Sequence, residues 1–358
     1  MDRTICASES RGERPSLPDL WRNLTLDSNP RQRDAPMAKN IVVCCDGTGN
    51  EYGSNNTNVV KLYEAIVRDR DQAAFYDPGV GTFSFLGRTL GRRVGRTLGK
   101  AFGAGLQQNI EDAYRFLMDR YEPGDRLYLF GFSRGAFTVR ALAGMLNLCG
   151  LLQRGSLNLV PYASRIYNDR ARHEMAPGFK RTYGQDCQPH LIGVWDTVAS
   201  MGWFWGRKFF DSTLNHDVKY GYHAVSIDEQ RKKFPANMWN EDARADHQTI
   251  EQVWFAGVHS DVGGWYREAG LSDIALDWML NKAQAQGLRL RPGWQRRLSP
   301  DPAGRLHASR TGLWRLWRPA PRTIPRDARI HSSVLARLDD PALGSAPANL
   351  PGRYEVVE

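Results

Sequence analysis

Short apolar runs alternate with longer amphipathic stretches along most of the chain, a rhythm that begins at Ile41. Ile41 to Cys45 is a continuous apolar run of strand length, and Val59 to Arg68 repeats its apolar positions at helical spacing. Ala73 to Tyr76 predicts a second strand. Ala104 to Tyr121 predicts a helix, with Ile110, Ala113, Tyr114 and Leu117 on one face. Leu127 to Phe130 predicts a third strand, and Ala136 to Met145, rich in small residues, a buried helix. A polar helical connection near Leu157 to Arg172 leads to a strand from His190 to Trp195, an aromatic loop, and a helix near Asp217 to Phe234. Gln252 to Val258 is a further strand, Ser272 to Gln286 a helix, and His331 to Leu338 the last element. Short apolar strands alternating with helices imply a mostly parallel central sheet covered by helices on both faces, an α/β architecture.

In such sheets chemistry gathers at the carboxyl ends of the strands. The residues that follow four of the strands carry it here: Asp46-Gly47-Thr48-Gly49-Asn50, Ser133, Asp196-Thr197 and His259-Ser260-Asp261. Ser133 stands in RLYLFGFSRGAFTVRALAG, between Gly131 and Gly135, at the passage from a strand to a helix. That context is a nucleophile elbow, whose sharp turn leaves no room for side chains two residues before and after the serine. The fold expected is therefore α/β-hydrolase-like.

A serine hydroxyl needs a histidine base, and the imidazole needs a carboxylate to fix its tautomer. Ser133, Asp196 and His259 supply these in the α/β-hydrolase order. The oxyanion hole would take the backbone N–H of Arg134 and one from the first loop, at Gly47 or Thr48. Asp46 is expected to shape that loop by accepting its N–H groups. Asp261 competes as the acid and His331 as the base. His223, on the helix expected at 217–234, reads as a structural hydrogen-bonding residue.

Other chemistries share some of these letters. Asp46-Gly47-Thr48 resembles the end of a phosphatase DxDGT motif, but Cys44 stands where the attacking aspartate belongs. Leu98-Gly99-Lys100 lacks the spacing and the hydroxyl of a phosphate-binding loop. A metallophosphatase using Asp46, Asp196, His259 and Asp261 would leave Ser133 without a role. A catalytically inert binding protein on the same fold is the non-enzymatic alternative.

Composition changes this picture in four ways. Residues 1–36 are rich in Arg, Ser, Pro and Asp and read as a disordered extension, with Met37 a plausible start. The catalytic domain is then 37–340 and a tail 341–358. No stretch approaches the roughly 18 apolar residues of a membrane span. A net charge of +9 favours anionic surfaces. Five cysteines without CxxC spacing indicate a reducing compartment and no zinc site.

Three segments resist a catalytic reading. Between Phe83 and Gly105 glycine recurs every fourth residue among Arg88, Arg92, Arg93, Arg96 and Lys100, a pattern suited to a lid or a membrane-docking element. Met201-Gly202-Trp203-Phe204-Trp205 could line an acyl-chain groove. Leu313 to Pro325 carries no motif with readable chemistry.

DGTGN, GFSRGAFTVRALAG, GVWDTVAS and VWFAGVHSDVGGWY, in that order, resemble a bacterial family once catalogued as a domain of unknown function and now associated with type VI secretion lipase effectors of the first Tle class. The resemblance spans about Lys39 to Leu338. It implies a phospholipase A-type serine esterase acting on glycerophospholipids without a cofactor, its catalytic residues falling on Ser133, Asp196 and His259. It also implies a cytoplasmic origin, export without a signal peptide, a secretion spike protein as escort and an immunity protein as antagonist, with no role for nucleic acid. The chain is short beside the longer effectors with their membrane-anchoring modules, so a housekeeping esterase on the same core is the alternative.

Overall fold

The computed structural model describes residues 38–47, 53, 55–79, 92–198, 213–316, 318–343 and 347–358; the side chains of 92–103 and 313–314 are outside that description. The expectations for residues 1–36, for 83–91 and for the aromatic loop at 201–205 fall on other residues.

The strands are β1 (Asn40–Cys45), β2 (Gln72–Asp77), β3 (Arg126–Phe132), β4 (Leu151–Leu152), β5 (Gly184–Gln185), β6 (Pro189–Trp195), β7 (Tyr220–Ser226), β8 (Thr249–Phe255), β9 (Ala328–His331) and β10 (Tyr354–Val357). Eight of them form one sheet in the order β10-β9-β8-β7-β6-β3-β1-β2, and β4 with β5 form a small separate ribbon. All the pairings of the large sheet are parallel. Within this sheet the chain passes first through β1, steps outward to β2, and then crosses back to β3 on the other side of β1. The β1/β3 boundary is thus a topological switch point, where the loops leaving two neighbouring strands diverge and open a crevice. Asp46-Gly47 and the elbow leave the sheet there.

Both faces of the sheet are covered, which is why its strands are apolar along their whole length. Ile41, Val43 and Cys45 pack into one core with α2 (Arg92–Arg120), α3 (Arg134–Cys149), α4 (Val160–Asn168) and α5 (Ala176–Tyr183). Val42 and Cys44 face the other core, beneath α1 (Asn58–Ala65), the longer helix Gly270–Ala285 and Val334. The two adjacent cysteines therefore point to opposite faces, as the pleat requires. Both are buried and unpaired. Thr57 caps α1 by accepting from the Val60 N–H at 3.3 Å. Among the described residues no helix is long and apolar enough to cross a membrane.

Two elements differ from expectation. Tyr220–Ser226, expected within a helix, is the strand β7, buried between β6 and β8. A strand covered on both faces shows no polar alternation, and the charged run after Ser226 lends the segment a misleading helical polarity. Residues 341–358, expected as a tail, contribute β10, which extends the sheet beside β9. His331 ends β9 and caps the helix Ser332–Leu338.

Candidate active site

Four loops meet at the carboxyl edge of the sheet, each anchored by a last ladder hydrogen bond. Asp46 N–H donates to Asp77 O at 2.8 Å, Ser133 N–H to Trp195 O at 3.1 Å, Asp196 N–H to Ala224 O at 2.8 Å and Ile227 N–H to Phe255 O at 3.0 Å. These bonds carry the register of the strands into the loops, so the side chains that follow are placed by the sheet itself.

Ser133 joins β3 to α3 with φ 56° and ψ −113°, a left-handed backbone that a non-glycine residue adopts only when its surroundings impose it. The flanking glycines make that turn feasible. A Cβ on Gly131 would run into the backbone of Gly135, and one on Gly135 would run into the carbonyl of Cys45 at the end of β1. The strained turn lifts the Ser133 hydroxyl toward His259, whose Nε2 lies 2.9 Å from Oγ. His259 Nδ1 lies 2.5 Å from Asp196 Oδ2. With a carboxylate on Nδ1, the imidazole carries its proton there and leaves Nε2 to accept from the serine. The three side chains are hydrogen-bonded in series, with His259 and Asp196 buried.

His259 opens α6 (His259–Gly263), a single turn that leaves β8 through Gly257 at φ 114°. Its ring is held between Phe132, 4.7 Å away, and Phe234, 5.3 Å away and edge-on. Its backbone N–H donates to Glu229 at 3.3 Å, and Glu229 is itself gripped by Arg231 at 2.8 and 2.9 Å. Gly263 lies against the Phe132 ring, where a Cβ would overlap the aromatic carbons.

Asp196 also adopts a positive φ, 41°. The next residue is fixed by a buried histidine: Thr197 N–H donates to His223 Nε2 at 3.1 Å, while His223 Nδ1 faces Gln252 Oε1 at 3.4 Å. Burial, helped by the charge of Arg140, pushes His223 down to about 3, so it is a neutral acceptor. The structural role expected for His223 is met on a strand, not on a helix.

The Asp196 carboxylate has two further partners that the sequence did not reveal. Ser226 donates to Oδ1 from its N–H at 2.9 Å and its hydroxyl at 3.1 Å. Arg322 forks across both oxygens, Nη1 to Oδ1 at 2.5 Å and Nη2 to Oδ2 at 2.9 Å. Burial alone would raise this carboxyl; the Arg322 charge and the hydrogen bond with His259 outweigh it and hold Asp196 well below the usual carboxylate range. No spacing rule marks Arg322, because it reaches the site from an irregular segment 126 residues after Asp196.

The remaining predicted residues are placed as follows. Arg134 is the first residue of α3, where the N–H groups point out of the helix toward its start. Gly47 donates its N–H to Asp46 Oδ1 at 2.6 Å, and Thr48 lies outside the described residues. The other Asp46 oxygen accepts from Thr57 Oγ1 at 2.5 Å and from the Tyr76 hydroxyl at 3.1 Å, which fastens the loop to α1 and β2. Asp261 turns away from His259: its carboxylate accepts from Val258 N–H at 3.0 Å and lies 2.6 Å from His307 Nδ1. His331 stacks on Phe255 at 4.6 Å and bonds Ser333. Asp46 and Asp261 are thus held by partners other than the Asp196–His259 pair, and among the described residues no three His, Cys, Asp or Glu side chains gather as a metal site.

The model of the type VI secretion system phospholipase effector Tle1-like catalytic domain family matches residues 39–282. The chain belongs to that family. An uncharacterised protein of Saccharomyces cerevisiae is 37% identical over 227 residues, covering 58% of this chain and 33% of that protein, so the chain spans about a third of this relative's length. Among solved structures, an uncharacterised Pseudomonas aeruginosa protein aligns over 72% of this chain and 47% of its own, with 23% identity and a TM-score of 0.44. A Tle1 effector bound to the VgrG spike aligns over 64% of this chain and 52% of its own, with 17% identity and a TM-score of 0.35. Arg322 lies beyond the family-matched residues, as do β9 and β10.

Proposed function

We propose that this protein is a serine esterase that cleaves an acyl ester of a glycerophospholipid. The observation that carries the reading is the series Ser133 Oγ, His259 and Asp196, linked at 2.9 and 2.5 Å, with the serine on a strained strand-to-helix turn. Family membership supports the substrate class, since the family is one of phospholipase effectors.

In this mechanism His259 Nε2 takes the proton of Ser133 as Oγ attacks the ester carbonyl. Asp196 stabilises the imidazolium that forms, without itself accepting the proton. The oxyanion is received by the Arg134 N–H and a donor of the first loop. The Gly47 N–H must exchange its bond to Asp46 to take part. His259 then protonates the leaving alcohol, and a water activated by the same nitrogen hydrolyses the acyl-enzyme.

A spike protein as escort and an immunity protein as antagonist belong to this reading through the family. The 37% identity to a yeast protein favours a second one, an esterase with the same core working in the cell that makes it. Labelling with a fluorophosphonate probe, wild type against Ser133→Ala, tests the nucleophile, and a phospholipid panel against soluble esters tests the substrate. Labelling that persists in Ser133→Ala would overturn the mechanism. Turnover of soluble esters alone would overturn the lipid assignment.

A further inference from the structure

Arg322 occupies a position that no catalytic motif foretells. Its guanidinium is buried and every nitrogen is engaged. Nη1 donates to Asp196 Oδ1, to Ser226 O at 2.9 Å and to Ser226 Oγ at 2.7 Å. Nη2 donates to Asp196 Oδ2 and to Phe234 O at 2.8 Å, and Nε donates to Phe234 O at 3.1 Å. Its own carbonyl is pinned by Asn349 Nδ2 at 2.9 Å, from the segment that leads into β10. The two nitrogens of the fork each take one carboxylate oxygen, so one two-point contact sets both the rotation of Asp196 and the direction in which Oδ2 faces His259.

We infer that Arg322 is a positioning residue for the reaction proposed above. It holds the Asp196 carboxylate in the orientation that meets His259 Nδ1, and its positive charge tempers the pull of that carboxylate on the imidazolium. Without it Asp196 would retain the Ser226 donors and His259 but could rotate about its own side-chain bond. With it the acid is locked, and the reaction extends to lower pH. The segment after residue 282 thus completes a site whose other parts all lie in the family-matched region.

Other charged or titratable groups flank the pair. Glu229, neutralised by Arg231, faces His259 from the loop after β7. His223 lies beneath Thr197 on β7, and Arg140 of α3 acts electrostatically on His223. None of these forks Asp196, whereas a change at Arg322 acts on the carboxylate's orientation and charge balance and also frees the Phe234 carbonyl, which is why the acid limb and the NMR signal are read beside kcat.

The test uses the full chain with Arg322→Met and Arg322→Lys. Both are read by kcat and KM on a soluble ester, by the pH profile of kcat/KM, and by the low-field proton NMR signal of the His259 Nδ1–H. Arg322→Met is expected to lower kcat about 10²-fold with KM held, as loss of orientation does. It should also raise the acid limb by about one pH unit and displace the NMR signal. Arg322→Lys keeps the charge but cannot fork, so it should hold the acid limb and recover part of kcat. A wild-type kcat in either variant overturns the inference. So does a fallen kcat in Arg322→Met with the acid limb and NMR signal unmoved, which would be simple packing. If Arg322→Met fails to fold, Arg322→Lys decides. The NMR signal needs no turnover, so it remains readable if Ser133 proves not to be a nucleophile; that failure belongs to the esterase reading and is recognised by an unlabelled wild-type serine.

Discussion

Replacing Gly135 by alanine should damage the site through one backbone contact. Gly135 is the second residue of α3, and a Cβ there would approach the Asp46 carbonyl oxygen to 2.7 Å and the Cys45 carbonyl more closely still. Ordinary contact begins at 3.4 Å, and both obstacles are main-chain atoms at the end of β1 that cannot rotate away. Relief requires the start of α3 to withdraw from the sheet by about 1 Å, a strain of overpacking that costs about 1–3 kcal/mol of stability. Ser133 adjoins that turn of helix and would leave its 2.9 Å contact with His259. A displacement of about 1 Å costs about 10²-fold in rate, equivalent to about 2.7 kcal/mol of barrier. The assay is the rate of Ser133 labelling by a fluorophosphonate, with urea unfolding measured on the same preparations. Gly178→Ala is the control: it sits in α5 with nothing within 4 Å and should raise stability by about 0.5–1 kcal/mol. Wild-type labelling and stability in Gly135→Ala would refute the account of the elbow.

Three further outcomes follow from the residues in and around the site. Asp196→Asn should cut turnover by about 10³–10⁴-fold and, by leaving Arg322 buried without its counter-charge, cost about 3–5 kcal/mol in urea unfolding. Asp261→Asn should keep turnover within about tenfold, because that carboxylate caps α6 and meets His307; equal losses in the two variants would mean the acid has been misassigned. Stability should fall as pH drops below about 6.5, because His223, held at about 3 when folded, binds its proton first in the unfolded chain, at no more than about 1.4 kcal/mol per pH unit. Asp228, pushed up to about 6 by burial, opposes this between about pH 6 and 4, since it gains its proton first in the folded state. His223→Gln should therefore show a shallower loss of stability between pH 6.5 and 4.5 than wild type, and identical slopes would exclude His223 as the source.

The alternation of short apolar strands with helices determined the architecture, because a strand covered on both faces must be apolar along its length whatever its neighbours are. Chain order determined the candidate loops as well, since the carboxyl ends of parallel strands all lie on one edge. That is how Ser133, Asp196 and His259 could be named before any distance was known. The switch point between β1 and β3 then explains why the elbow and Asp46-Gly47 leave neighbouring strands at the same edge of the sheet.

Tertiary packing decided the rest. Whether Asp196 or Asp261 meets the imidazole depended on which way each carboxylate turns after its strand, and a partner far along the chain settled that direction in both cases: Arg322 for Asp196 and His307 for Asp261. β7 escaped recognition because a central strand has no polar face to alternate, and the charged run after Ser226 lent the segment a helical polarity. Arg322 escaped it because a guanidinium fork needs only a reachable carboxylate, and an irregular segment can supply that reach from any sequence distance. Periodicity is a local property and reports how each element is buried. The contacts that orient Asp196 arise only when Arg322, Ser226 and His259, brought from different parts of the chain, close around one carboxylate.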